Sequence, residues 1–137
     1  FALEIEPDFG ENIVFKDSIS LWQKKCAEEI IFGSVKENRF EKGIKAIELY
    51  FQTDNIETVY NILKGKNVEM IHGLKEENWG QKTVRFYDPD KFIVEVAEPI
   101  ENVILRFSKS GMSDEEVSEK IQMPLVVVRE EIKDKNK

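Results

Sequence analysis

The chain has 137 residues, 41% of them apolar and 34% charged, and carries a net charge of −7 at neutral pH. These proportions suit one globular domain with its own core and argue against a disordered chain or a surface built to neutralise phosphates. A single cysteine, Cys26, rules out an intrachain disulfide, and no apolar run approaches a membrane span, so the expected setting is cytoplasmic.

In chain order, three short strands come first: "ALEIEPD" (2–8), "NIVFK" (12–16) and "ISLWQ" (19–23), with turns at Pro7–Gly10 and Lys16–Ser18. "CAEEIIF" (26–32) follows as a short helix ending near Gly33, where Cys26 reads as a small buried apolar residue before it reads as a nucleophile. The polar "KENRFEKG" (36–43) is a connector. "IKAIELYFQT" (44–53) alternates, with Ile47, Leu49 and Phe51 on one face and Glu48, Tyr50 and Gln52 on the other. "DNIETVYNILKGKN" (54–67) is helical, with Asp54 as N-cap, Gly65 near its end, and a stripe of Ile56, Val59, Tyr60 and Leu63. "VEMIH" (68–72) is a strand, and 73–80 a charged loop.

"WGQKTVRFYDPDKFIVEVAEP" (79–99) reads as two strands joined at the DPDK turn. Proline pre-sets φ there, and the aspartates bond nearby backbone. A register that keeps Val84, Phe86, Val94 and Val96 on one face puts Arg85, Tyr87, Ile93 and Glu95 on the other. Glu95 is then a carboxylate in mid-strand: either it pairs with Arg85, or it points into a pocket, and the two are compatible. His72 reads as a strand-end residue beside a charged loop rather than a catalytic base. Trp79 is a packing anchor or a lid over a pocket.

From residue 99 onward the pattern is helical. "PIENVILRFSKSG" closes on Gly111, "SDEEVSEKI" starts with Ser113 as N-cap, and Pro124 opens "PLVVVREEIKDK" at its first helical position. The last two segments are spaced like a helix-turn-helix. A recognition helix needs polar and basic side chains, whereas this one offers Leu125, Val126, Val127 and Val128 and then Glu130 and Glu131, so nucleic acid is not an expected partner.

The segment 44–98 resembles the second module of the vicinal oxygen chelate superfamily, which includes glyoxalases, bleomycin-resistance proteins and extradiol dioxygenases. The resemblance is carried by the strand running into "TDNIE", the lone helix, "WGQKTVRFYDPD" and the glutamate of the last strand. Residues 1–24 resemble part of a first module through "DFGENIVF", as a partial duplication whose first strand and helix are not in this sequence. The implied fold is α+β, with βαβββ glyoxalase-like modules forming a curled mixed sheet. The expected organisation is a glyoxalase-like domain over 1–98 and a C-terminal helical tail over 99–137.

The resemblance also implies a sheet-lined cavity whose metal ligands come from the first and last strands of each module. Glu95 matches the last-strand glutamate, and Glu48 stands where the family usually has histidine. Near "SISLWQ" only Leu21 or Trp22 falls in phase, with Gln23 one position out. Two carboxylates without imidazole make a poor site for zinc, nickel or iron. A degenerate metal site with no cofactor is therefore favoured over a divalent metal held by Glu48 and Glu95. The expected function is small-molecule binding, with Tyr50, Gln52, Arg85, Tyr87 and Trp79 facing the ligand and Arg85 able to exchange Glu95 for an anionic group. The alternative is a metal-dependent lyase, isomerase or dioxygenase-type enzyme using Glu48 and Glu95. No catalytic residue is identified. The open sheet edge and apolar face that the partial first module implies lead to the expectation of a homodimer.

Overall fold

The computed structural model describes residues 5–16, 19–36 and 46–134. The beginnings of the first and fourth expected strands, the turn at 17–18 and most of the 36–43 connector lie outside them. The chain divides into two compact units, residues 1–42 and 43–137.

In the first unit β1 (Ile5–Asp8), β2 (Asn12–Phe15) and β3 (Ser20–Trp22) form an antiparallel meander, followed by α1 (Lys24–Phe32). Gly33 closes α1 in the left-handed region at φ 67°, and its N–H bonds the Glu29 carbonyl.

In the second unit β4 (Glu48–Gln52) leads into α2 (Ile56–Gly65), and β5 (Met70–Glu76), β6 (Lys82–Tyr87) and β7 (Ile93–Ala97) follow as a meander. The strand order is β4-β7-β6-β5, with β4 parallel to β7 and the other pairs antiparallel. This is the mixed sheet of an α+β protein, open rather than closed into a barrel. The stripe on α2 lies as its period requires: Ile56 is buried and Val59, Tyr60 and Leu63 are half-buried. At the hairpin, Asp88 accepts from the Phe92 N–H through Oδ1 at 2.8 Å, and Lys91 takes the left-handed conformation that completes the turn.

Four expectations need correction. β5 does not stop at His72 but runs to Glu76, because β6 pairs with Lys75 and Glu76 as well, across two irregularities in register. His72 is accordingly inside a strand, not at its end. The N-cap of α2 is Asn55 rather than Asp54, whose carboxylate instead accepts from Asn102 Nδ2 at 2.9 Å. Pro124 precedes α5 (Leu125–Asp134) and supplies the carbonyl that Val127 and Val128 bond, so it caps the helix from outside.

The tail helices α3 (Ile100–Lys109), α4 (Asp114–Ile121) and α5 bury Val103, Ile104, Val117, Ile121 and Val128 against one another. Ser113 and Glu116 make a reciprocal capping box on α4. The helices belong to the same unit as the sheet. Arg106 on α3 donates to the Gly80 carbonyl at 2.5 Å and to Glu98 Oε2 at 3.2 Å. Gly80 sits at φ 90°, where a Cβ would lie 2.2 Å from the Phe107 ring, so only glycine fits under α3. On α5, Arg129 is taken up by Asp114 and Glu115 of α4.

Candidate functional site

The strand registers bring four side chains into one row across the sheet. Tyr50 on β4 is opposite Glu95 on β7, Glu95 is opposite Arg85 on β6, and Arg85 is opposite His72 on β5. Directly paired residues share a face, so the row lies on one side of the sheet.

Arg85 is its centre and is only 3% exposed. Nε donates to Glu48 Oε1 at 2.8 Å, Nη1 to Glu77 Oε1 at 2.7 Å, and Nη2 to Glu95 Oε2 at 2.5 Å. Nη1 also meets His72 Nε2 at 3.2 Å. Four of the five guanidinium donors are thus engaged. Glu77 in turn holds Lys75 at 2.8 Å and accepts from Thr83 Oγ1 at 3.1 Å.

Charge here does not balance locally, since one guanidinium faces three carboxylates. Burial pushes the Glu95 carboxyl up from 4.5 to about 7; Arg85 opposes the rise, and Glu48 and Glu77 add to it. Burial also acts to raise Glu77, but hydrogen bonds from Lys75 and Arg85 outweigh it and hold that carboxyl below its usual range. Burial lowers His72, with the bond to the Gly73 carbonyl working the other way.

A second network adjoins the first. Trp79 Nε1 donates to Gln81 Oε1 at 3.0 Å, and Gln81 Nε2 donates to the Glu98 carbonyl at 2.6 Å and to the Tyr50 hydroxyl at 3.2 Å. Gln52 Nε2 reaches the same hydroxyl at 3.0 Å. With two amides donating to it, the Tyr50 oxygen has both acceptor positions filled, and its O–H is left to point at a further acceptor. Burial raises the Tyr50 pKa, so the proton stays on at neutral pH. Buried Arg85 and Glu95 form a floor, half-buried Glu48 lies beside them, and exposed Tyr50 and Gln52 form a polar rim.

Of the residues singled out from sequence, Glu48, Tyr50, Gln52, Arg85 and Glu95 converge, and Trp79 joins through Gln81. Tyr87 instead lines a cleft of about 340 Å³ at the hairpin end with Val68, Phe86, Pro89 and Lys91. Three participants are not among the residues that the sequence singles out for the site: Glu77, in the stretch whose composition reads as loop; His72, which reads as a strand-end residue; and Gln81. The last stands inside the "WGQ" stretch that carries the family resemblance, which was signal enough to select it.

The carboxylates offered as metal ligands do not fit that task. Glu48 and Glu95 both hold Arg85, so a divalent cation between them would have to displace a buried guanidinium. The imidazole of His72 has both nitrogens engaged. Among the described residues, no group of three or more His, Cys, Asp or Glu side chains is disposed to hold a metal ion.

Residues 1–101 match the family described as glyoxalase-like domain. A protein of unknown function from Agrobacterium tumefaciens str. C58 is 31% identical, over 71% of this chain and 75% of its own, with a TM-score of 0.39. A member of the glyoxalase/bleomycin resistance protein/dioxygenase superfamily from Sphaerobacter thermophilus DSM 20745 is 15% identical, over 72% of this chain and 78% of its own, with a TM-score of 0.37. A glyoxalase/bleomycin resistance protein/dioxygenase from Alicyclobacillus acidocaldarius is 11% identical, over 71% of this chain and 73% of its own, with a TM-score of 0.35. No curated protein matches the chain.

Proposed function

Since this chain belongs to the glyoxalase-like domain family, we propose that it binds a small molecule over the face carrying Tyr50, Glu95 and Arg85, without a resident transition metal. One observation carries the reading: two amides converge on the Tyr50 oxygen, which leaves its O–H as an aimed donor on an exposed rim. A ligand with a carbonyl, carboxylate or similar acceptor would complete it. Arg85, engaged by Glu48, Glu77 and Glu95, is not the ligand's main anchor in this reading, in contrast to the exchange with an anionic group expected from sequence. Trp79 and Gln81 act behind Tyr50 by holding it in place, and the working unit is a homodimer.

The second reading, a metal-dependent lyase, isomerase or dioxygenase-type reaction through Glu48 and Glu95, requires Arg85 to release both. Thermal unfolding of chelator-stripped protein with Ni²⁺, Mn²⁺, Zn²⁺ or Fe²⁺ separates the two. No ion should raise the midpoint, and as-purified protein should carry no stoichiometric metal. A rise that is lost in Glu95→Gln would favour the enzyme. For the binding reading, small acceptor-bearing compounds that stabilise the protein should bind Tyr50→Phe about 2–10-fold more weakly, as expected for one hydrogen bond. Equal affinity for both proteins would remove Tyr50 from the site.

A further inference from the structure

His72 is the only histidine in the chain, and it stands directly opposite Arg85 in the β5–β6 pair. Its Nδ1 lies 2.7 Å from the carbonyl of Gly73, which can only accept, so the proton sits on Nδ1. That leaves a lone pair on Nε2, and Arg85 Nη1 donates to it at 3.2 Å. The neutral ring is therefore an acceptor for a cation. A second proton on the ring would set N–H against N–H across this contact.

We propose that His72 is a proton-sensitive latch on Arg85: neutral, it helps hold the guanidinium among Glu48, Glu77 and Glu95, and on protonation it lets go and turns the candidate ligand face into a looser arrangement.

The surroundings of the ring determine whether such a latch works in the accessible pH range. From β6, Arg85 opposes a charge on it. Lys75, on its own strand, also opposes it, and Glu77, just beyond that strand, favours it. Glu48 on β4 and Glu95 on β7 face Arg85 rather than the ring. On the α2 side, the Tyr60 hydroxyl comes up against Gly73, with Lys64 over the Tyr60 ring. Burial is the largest influence and keeps the ring neutral to lower pH than an exposed histidine, with the cationic neighbours adding to it. The latch is therefore closed at neutral pH and opens on the acid side. It concerns the protein's own groups and needs no ligand, so it stands or falls independently of the binding reading.

A lone histidine makes the test direct. Long-range ¹H–¹⁵N spectra of the ligand-free full chain should show the Nδ1–H tautomer near neutral pH and a protonation midpoint below the roughly 6.5 of an exposed histidine. The Arg85 Nε–H signal, protected from exchange by Glu48, should lose that protection with the same midpoint. In His72→Gln, whose amide oxygen can still accept from Arg85 but cannot titrate there, the arginine signal should stay protected through that range. An Nε2–H tautomer in the neutral protein would overturn the proposal. So would an Arg85 signal that follows the same midpoint in His72→Gln. If that variant does not fold, the tautomer and the shared midpoint in the unaltered chain decide the matter alone.

Discussion

Arg85 and Glu95 stand directly opposite each other on β6 and β7, and Arg85 Nη2 donates to Glu95 Oε2 at 2.5 Å. The pair is buried, and its guanidinium is shared with Glu48 and Glu77, so the partners are not equivalent. Removing Arg85 strands buried carboxylates, whereas removing Glu95 leaves the arginine with others.

Stability should register that asymmetry. Arg85→Ala is expected to cost about 3–5 kcal/mol, the usual range for breaking a buried ion pair by deleting one side. Glu95→Ala should cost less, about 1–3 kcal/mol, because Arg85 keeps Glu48 and Glu77. The double variant should lose at least about 1 kcal/mol less than the sum in urea unfolding. Additive losses would mean that the two residues do not interact.

The pH dependence of stability follows from the raised Glu95 pKa. Between 4.5 and about 7 the native protein keeps a proton on Glu95 that the unfolded chain has released. The stabilisation this supplies is fully present below 4.5 and is lost as pH rises through about 7. The stability of the unaltered protein relative to Glu95→Gln should therefore fall over that interval. His72, lowered in the native state, acts with the opposite sign but is present in both proteins and cancels to first order. A difference that grows with pH would show that Arg85 outweighs burial at Glu95.

Gly80 ties the sheet to the helical tail. At φ 90°, and with Phe107 2.2 Å from where a Cβ would sit, Gly80→Ala carries both backbone strain and a clash. The expected loss is about 2–4 kcal/mol. Gly65→Ala, near the end of α2 and with nothing within 4 Å, is the control and should be neutral or stabilising by up to about 1 kcal/mol. Equal unfolding midpoints for the two variants would count against the fit of α3 on Gly80.

Association is expected through β4. Among the described residues this strand pairs only with β7; Leu49 and Phe51 on it are 43% and 55% exposed, and Ile47 just before it is 58% exposed. Sedimentation equilibrium should give a dimer, and Phe51→Glu should shift it toward monomer. A clean monomer of the unaltered chain at micromolar concentration rules the dimer out.

How far the sequence carried can be seen residue by residue. The pleat of a strand is local, so alternation alone was enough to put Arg85 and Glu95 on one face, and a two-stranded hairpin with a DPDK turn allows few registers. The same holds for α2, where a 3.6-residue period selects Ile56, Val59, Tyr60 and Leu63 without reference to anything else. What no local pattern contains is which strand lies beside which. Tyr50 meets Glu95 only because β4 pairs in parallel with β7 across the intervening helix and strands.

His72 and Glu77 reach Arg85 by a different route. Two register irregularities in the β5–β6 ladder extend β5 through a stretch whose composition reads as loop. Charged residues are poor strand formers when solvated; once the sheet has assembled, Arg106 pairs with Glu76 at the end of β5, and Arg85, Lys75 and Thr83 satisfy Glu77 just beyond it. The sequence by itself determined the faces, the helix stripe and the family resemblance, each written in short-range periodicity or motif. The tertiary structure alone decided the ring of partners around Arg85, because a buried charge chooses its neighbours by desolvation and long-range pairing, and neither is encoded within one strand.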